Sequence, residues 1–194
     1  MKISLCLIVR NELQGCKIDV PKISTHKFYE VIAIDGNSTD GTYKFLTSQG
    51  IRTYKQMNPG LNGAYIDANN FSKGDYVVVF FPKNTLPVND IYKFEDFFKK
   101  GYQLVIASRQ IKGSVNEEDS QLIKLRKWGV RFLALFAYYV WSKKKNIIYD
   151  VLHGVKGWEK DSFNKMEILN RGVSIDIEMV IRAYKLNLNV IEFP

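Results

Sequence analysis

Short apolar runs rich in β-branched and aromatic residues, at positions 3–9, 30–34, 51–54, 76–81, 104–107 and 189–193, alternate with stretches of helical spacing at 42–49, 62–72, 90–100 and 175–186. A strand that reads as a continuous apolar run is covered on both faces, and parallel strands need a long crossover between them, usually a helix. The pattern therefore predicts an α/β fold, with a mostly parallel sheet and helices on both faces. With 194 residues the chain is expected to form one domain, 1–194, because a domain of this size removes roughly 70% of its unfolded surface from water.

In such sheets ligands bind beyond the carboxyl ends of the strands. The residues there are Arg10, Asn11 and Glu12, then Asp35 to Ser38, then Pro82, Lys83 and Asn84, then Ser108 and Arg109. The set is polar and mixed in charge, as a site holding a sugar and a diphosphate together requires, although any α/β protein has polar loops at its strand ends. In VIAIDGNSTDGTYKFL, Asp35 closes a buried strand and Gly36 allows a tight turn. A carboxylate there can accept from a nucleobase N–H or a ribose hydroxyl, and the next helix offers free N–H groups. The same turn also reads as a capped strand-to-helix connection in which Ser38 and Asp40 serve only the helix.

The net charge of +8 is concentrated in one place: Lys124, Arg126, Lys127, Arg131, Lys143, Lys144 and Lys145 lie between Ser120 and Tyr149, with no acid among them. Local positive charge calls for an anionic partner. Nucleic acid is not expected, since no recognition motif accompanies the charge. Cys6 and Cys16 fit neither a disulfide framework nor a zinc spacing, so reduced thiols and a cytoplasmic setting are expected. MKISLCLIVRNE reaches charge too soon for a signal peptide, and no apolar run is long enough to span a bilayer.

SLCLIVRNE, VIAIDGNSTDGT, GLNGAYIDANNFSKGDYVVVFF, VIASR, YDVLHGVKGW and IDIEMVIRAYKLNLNVIEFP, taken in order, resemble the inverting glycosyltransferases of family 2. Their later motifs are most similar to the polyprenyl-phosphate sugar synthases, such as dolichol-phosphate mannose synthase. The resemblance implies a GT-A, Rossmann-like sheet that takes a nucleoside diphosphate sugar and transfers the sugar, with inversion, to a lipid phosphate or a glycan. By position it assigns Glu12 and Asp35 to the nucleoside, with Ser38 beside them, and Arg109 and Arg126 to phosphate. Asp150, four residues before Gly154, resembles an acid beside the acceptor, and Asp176 and Glu178 fall on the late acidic helix.

The departure from the family lies in FFPKNTLP. The family's Asp-x-Asp motif falls on Phe81, Pro82 and Lys83, or one residue later with Asn84 at an acidic place. Mg²⁺ and Mn²⁺ prefer oxygen ligands, so no metal and no other cofactor is expected. Lys83 is then a candidate cation for the leaving diphosphate, alongside the plainer reading of a solvated turn lysine. The alternative for the whole chain is a non-catalytic nucleotide-sugar-binding homologue whose metal motif has decayed. An alcohol acceptor needs a general base, for which Asp150 stands first and Asp67 and Asp176 behind it; a phosphate acceptor needs only positive groups. His153 adjoins Asp150, but a lone histidine in such a loop is more often structural. Residues 122–145, basic at both ends and aromatic in the middle, read as a helix at an anionic membrane surface, with the protein peripheral at the inner face. The same pattern suits a core helix with a basic rim or the contact of a homodimer.

Overall fold

The computed structural model of the protein describes residues 1–109, 111, 125–142, 146–152, 154–170 and 174–194, and of residues 125–127 only the backbone. In chain order the elements are β1 (Ile3–Val9), α1 (Leu13–Asp19), β2 (Glu30–Asp35), α2 (Thr42–Ser48), β3 (Arg52–Lys55), α3 (Gly60–Phe71), β4 (Tyr76–Phe80), α4 (Phe94–Lys99), β5 (Leu104–Ala107), α5 (Leu125–Trp141), β6 (Lys156–Glu159), α6 (Lys160–Met166), α7 (Ile175–Lys185) and β7 (Val190–Phe193). The strands form one seven-stranded sheet in the order β3-β2-β1-β4-β6-β5-β7. All pairings are parallel except the two made by β6, which runs antiparallel between β4 and β5.

Period-two alternation splits the apolar residues into two cores. Cys6, Ile8, Ile32, Ile34, Val77 and Val79 face a core closed by α3, α5 and α7, while Leu5, Leu7, Val9, Ala33, Val78 and Phe80 face one closed by α1, α2 and α4. Every residue of β1 is buried, which is why the strand reads as an unbroken apolar run. Its one polar member, Ser4, donates to Glu30 Oε1 at 2.7 Å and accepts from the N–H of Gly74 at 2.9 Å. Trp158 of β6 is fully buried. Its ring stacks between Tyr65 at 5.4 Å and Phe163 at 4.9 Å, and its Nε1 donates to Asn69 Oδ1 at 3.0 Å. Such aromatic pairs contribute about 0.5–1.5 kcal/mol each beyond simple burial.

The structure departs from the sequence reading in four places. The stretch at 90–100 divides into a 3-10 turn at Val88–Tyr92 and the short α4, because Phe94 and Phe98 must both reach the sheet beside Gly157. A Cβ at Gly157 would stand 2.6 Å from Phe94 Cδ1 and 2.8 Å from Phe98 Cζ. β6 itself was not foreseen, since Lys-Gly-Trp-Glu has neither an apolar run nor β-branched residues. Neither α1 nor α6 was foreseen: α1 begins directly after the β1 loop and lies against the 82–83 turn, and α6 follows β6 without a break.

Candidate active site

Three loops leave the carboxyl ends of β1, β2 and β4, and each contains an asparagine with left-handed backbone: Asn11 (φ 54°), Asn37 (φ 63°) and Asn84 (φ 56°). Asparagine tolerates this conformation better than other non-glycine residues, so each loop turns sharply off its strand. The first two loops clasp each other. Asn11 N donates to Ser38 Oγ at 2.9 Å, and Thr39 N donates to Asn11 Oδ1 at 2.8 Å. Glu12 N donates to Thr42 Oγ1 and Leu13 N to Asp40 Oδ2, both at 3.0 Å. Ser38 is therefore a clasp residue, and its N–H also donates to Asp35 Oδ2 at 3.0 Å. The other carboxylate oxygen of Asp35, Oδ1, is buried and has no hydrogen-bond partner among the described residues. A buried charged acceptor left open in this way is costly unless a ligand supplies the donor.

The third loop is fixed by α1. A Cβ at Gly15 would lie 2.1 Å from the carbonyl oxygen of Pro82, so only glycine lets this helix approach the turn so closely. Asn84 N donates to Asp19 Oδ2 at 2.7 Å, and Lys83 N donates to the Phe81 carbonyl at 2.9 Å. Burial pushes the Cys16 thiol up to about 12, and the acids around α1 add to the rise. Cys16 and Cys6 are both buried and unpaired by disulfide, which makes them poor nucleophiles.

Between these loops opens a cavity of about 590 Å³, lined among others by Arg10, Glu12, Asn37, Gln56, Phe81 and Lys83. Its size is that of a small-molecule site. Lys83 Nζ lies 3.1 Å from Glu12 Oε1, with both side chains partly exposed. The far wall is held by Asp67, which is buried and accepts from Met57 N at 2.6 Å, Asn58 N at 3.0 Å and Asn58 Nδ2 at 2.6 Å. Asp67 thus shapes the 56–58 loop. Arg10 is a second cavity cation, present among the strand-end residues of the sequence but given no role there.

Phe81, Pro82 and Lys83, at the places of the expected Asp-x-Asp motif, offer a divalent cation no side-chain oxygen. The Phe81 ring packs against Gly154, where an added Cβ would lie 2.8 Å from Phe81 Cε2. Among the described residues no group of three or more His, Cys, Asp or Glu side chains could hold a metal ion. The residues present do not fit Mg²⁺ or Mn²⁺ at this edge.

Asp150 and Arg109 stand apart from the cavity, at the ends of β5 and β7, and do not line it. Asp150 is fully buried; its Oδ2 accepts from Arg109 N at 2.7 Å and Arg109 Nε at 3.3 Å, and its Oδ1 has no partner among the described residues. Glu192 braces the same turn, accepting from Tyr149 N at 3.1 Å and Asp150 N at 3.0 Å. Burial pushes the Glu192 carboxyl up, and the charge of Asp150 adds to the rise against those hydrogen bonds. The side chain of Arg126, and the whole of His153 and of Lys143 to Lys145, lie outside the described residues.

A third polar group had escaped the sequence reading. Lys156 of β6 is fully buried, and its Nζ lies 2.5 Å from Asp176 Oδ1 in the first turn of α7. Tyr65, whose hydroxyl donates to the Gly154 carbonyl, is buried nearby. Its phenol is raised well above its usual range, first by burial and then by the charge of Asp176. Glu178 is a packing residue, accepting from Arg182 Nε at 2.8 Å and Asn62 Nδ2 at 3.3 Å. The only clue to the buried pair was a lysine inside the otherwise uncharged stretch HGVKGW.

The sequence model of the family described as "Glycosyl transferase family 2" matches residues 8–166. Glycosyltransferase AglJ of Haloferax volcanii is 24% identical over 168 residues, which are 86% of this chain and 53% of that protein. The chain thus spans about half the length of that curated relative. Among solved structures, glucosyl-3-phosphoglycerate synthase of Mycobacterium tuberculosis in complex with Mn²⁺, UDP and phosphoglyceric acid superposes with a TM-score of 0.71 at 19% identity, over 98% of this chain and 67% of that one. The same synthase in complex with UDP gives a TM-score of 0.65 at 17% identity, over 98% and 69%. These likenesses show a shared GT-A fold, as the α/β pattern and the motifs imply.

Proposed function

The chain belongs to glycosyl transferase family 2, and from this premise we propose that it transfers a sugar from a nucleoside diphosphate sugar to a lipid phosphate, with inversion and without a divalent cation. The observation that carries the reading is Lys83, which lines the cavity at a metal-binding place and is held there by Glu12 at 3.1 Å. The donor's nucleoside lies over the ends of β1 and β2, where the open oxygen of Asp35 and the Glu12 carboxylate accept from base or ribose. Its diphosphate lies towards Lys83 and Arg10. In the reaction the acceptor oxygen forms a bond to C1 of the sugar on the face opposite the diphosphate, the C1–O bond breaks, and its electron pair leaves with the nucleoside diphosphate. Lys83 and Arg10 offset the charge that develops there, in place of a metal.

Acceptor choice follows from Asp150. An alcohol must give up a proton to a base within hydrogen-bond reach, but Asp150 is fully buried and one of its oxygens is taken by Arg109. A phosphate is already an anion and asks only for positive groups, Arg109 with Arg126 as its partner in sequence. Lipid phosphate is therefore favoured over glycan, and an acceptor with a lipid tail brings the protein to a bilayer, in a reducing, cytoplasmic setting that its two free thiols suit. The missing metal carboxylates also favour a second reading, a nucleotide-sugar-binding homologue without catalysis.

A transfer assay separates these. With labelled donor sugars, polyprenyl phosphate and EDTA, label is expected in the lipid-phosphate product, and Arg109→Ala should lower the rate more than about tenfold. Label on neutral glycans instead would contradict the acceptor, and donor binding with neither transfer nor hydrolysis would establish the non-catalytic reading.

A further inference from the structure

α5 buries one face and leaves the opposite one bare. Val130, Ala134 and Ala137 are buried against the core that α7 closes, and Tyr138 meets Tyr184 of α7 edge-on at 6.3 Å. On the other side Trp128, Phe132 and Tyr139 are 76%, 69% and 77% exposed, with Leu135 and Phe136 exposed between them. Positions 128, 132, 135 and 139 follow the i, i+4, i+7, i+11 spacing of one helical stripe. Scattered apolar residues on a surface are ordinary, but a stripe of this kind on one helix marks an interaction surface.

The charge around the stripe selects the occupant. Arg131 is exposed beside it, Lys127 belongs to the same helix, and no acid occurs between Ser120 and Tyr149. A two-fold contact between copies of this chain would set one basic rim against another, which costs energy. An anionic bilayer supplies both an apolar interior and an opposite charge. Aromatic rings also suit the headgroup level, where their apolar bodies are buried and their polar tips stay wet. Among the described residues no helix is long and apolar enough to cross a membrane, so the helix would lie along the surface.

We propose that α5 is a membrane-docking helix, lying in the plane of an anionic bilayer with Trp128, Phe132, Leu135, Phe136 and Tyr139 among the acyl chains and Arg131 at the headgroups. The placement rests on the lipid-phosphate reading for its purpose, but docking is measured without any transfer. In co-sedimentation, the protein is expected to bind vesicles of phosphatidylcholine mixed with phosphatidylglycerol, to bind phosphatidylcholine alone more weakly, and to be released as salt is raised. Tryptophan emission should shift to the blue on binding. Trp158 is fully buried, and Trp141, half-buried at the end of α5, is replaced by phenylalanine in the reporter background, so Trp128 carries the signal and adding Trp128→Phe should lose most of the shift. The combined variant Trp128→Ala, Phe132→Ala, Tyr139→Ala removes only exposed side chains, so both cores remain intact, and its partitioning should fall more than about tenfold. No binding even at low salt, or unchanged binding by the combined variant, overturns the proposal. A wild-type dimer in light scattering that the combined variant turns into a monomer overturns it as well, and gives the stripe to a second copy. Transfer to a short-chain, water-soluble polyprenyl phosphate by protein that ignores vesicles would overturn the docking and leave the acceptor standing. Vesicle binding without transfer would support the docking while removing the acceptor.

Discussion

Replacing Lys156 with methionine should lower the stability of the protein by about 3–5 kcal/mol, a loss of the size seen when one partner is removed from a buried ion pair. Lys156 is completely buried and the Asp176 side chain is only 11% exposed, so the carboxylate left behind can gain little from water. The pair joins β6 to the first turn of α7, and β6 is the strand through which β5 and β7 reach the rest of the sheet. Urea unfolding of Lys156→Met and of the double variant Lys156→Met, Asp176→Leu checks the assignment. The double variant should recover most of the loss, because two apolar residues of suitable size often replace a buried pair at little cost. A single variant within about 1 kcal/mol of wild type would show that the pair matters little to the fold.

Asp35→Ala should weaken nucleotide binding about 5- to 150-fold, the equivalent of about 1–3 kcal/mol for a lost buried acceptor. The effect has two parts. Oδ1, which has no partner among the described residues, is no longer there to accept from the nucleoside proposed to lie against it, and the Ser38 N–H loses the acceptor that positions it for the clasp between the β1 and β2 loops. Asp35→Asn separates the two, since it keeps a carbonyl for one donor while removing the charge. Calorimetric affinity unchanged in Asp35→Ala, with circular dichroism showing an intact fold, would remove Asp35 from the site.

Much of this architecture is legible in the sequence, for a physical reason. β1, β2 and β4 are buried on both faces, so their apolar runs are unbroken, and the ligand edge follows from where those runs stop. Glu12 and Lys83, read from such edges, do line the cavity, whereas Asp35, Ser38 and Asn84, read from the same edges, do not. What local pattern could not reveal was set by tertiary contact. β6 is a strand because β4 and β5 both pair with it, and its Lys-Gly-Trp-Glu carries no local signal for that state. Asp67 read as a spare general base; only the folded chain shows three donors from residues 57 and 58 consuming it. Residues 132–141 of α5 are apolar on every face, and only the packing of the helix against the α7 side shows which stripe is left over.

Titration of UDP, GDP, ADP and dTDP into the protein by calorimetry, each in EDTA and again in Mn²⁺, tests metal-free donor binding most directly. At least one nucleotide is expected to bind with the same affinity in both buffers, within about twofold. Lys83→Ala should weaken that nucleotide about tenfold, a modest effect for a charged contact because the side chain is half exposed and screened by solvent. Binding that disappears in EDTA and returns with Mn²⁺, with Lys83→Ala no weaker than wild type, would contradict the account and place a metal where Lys83 has been read as its substitute.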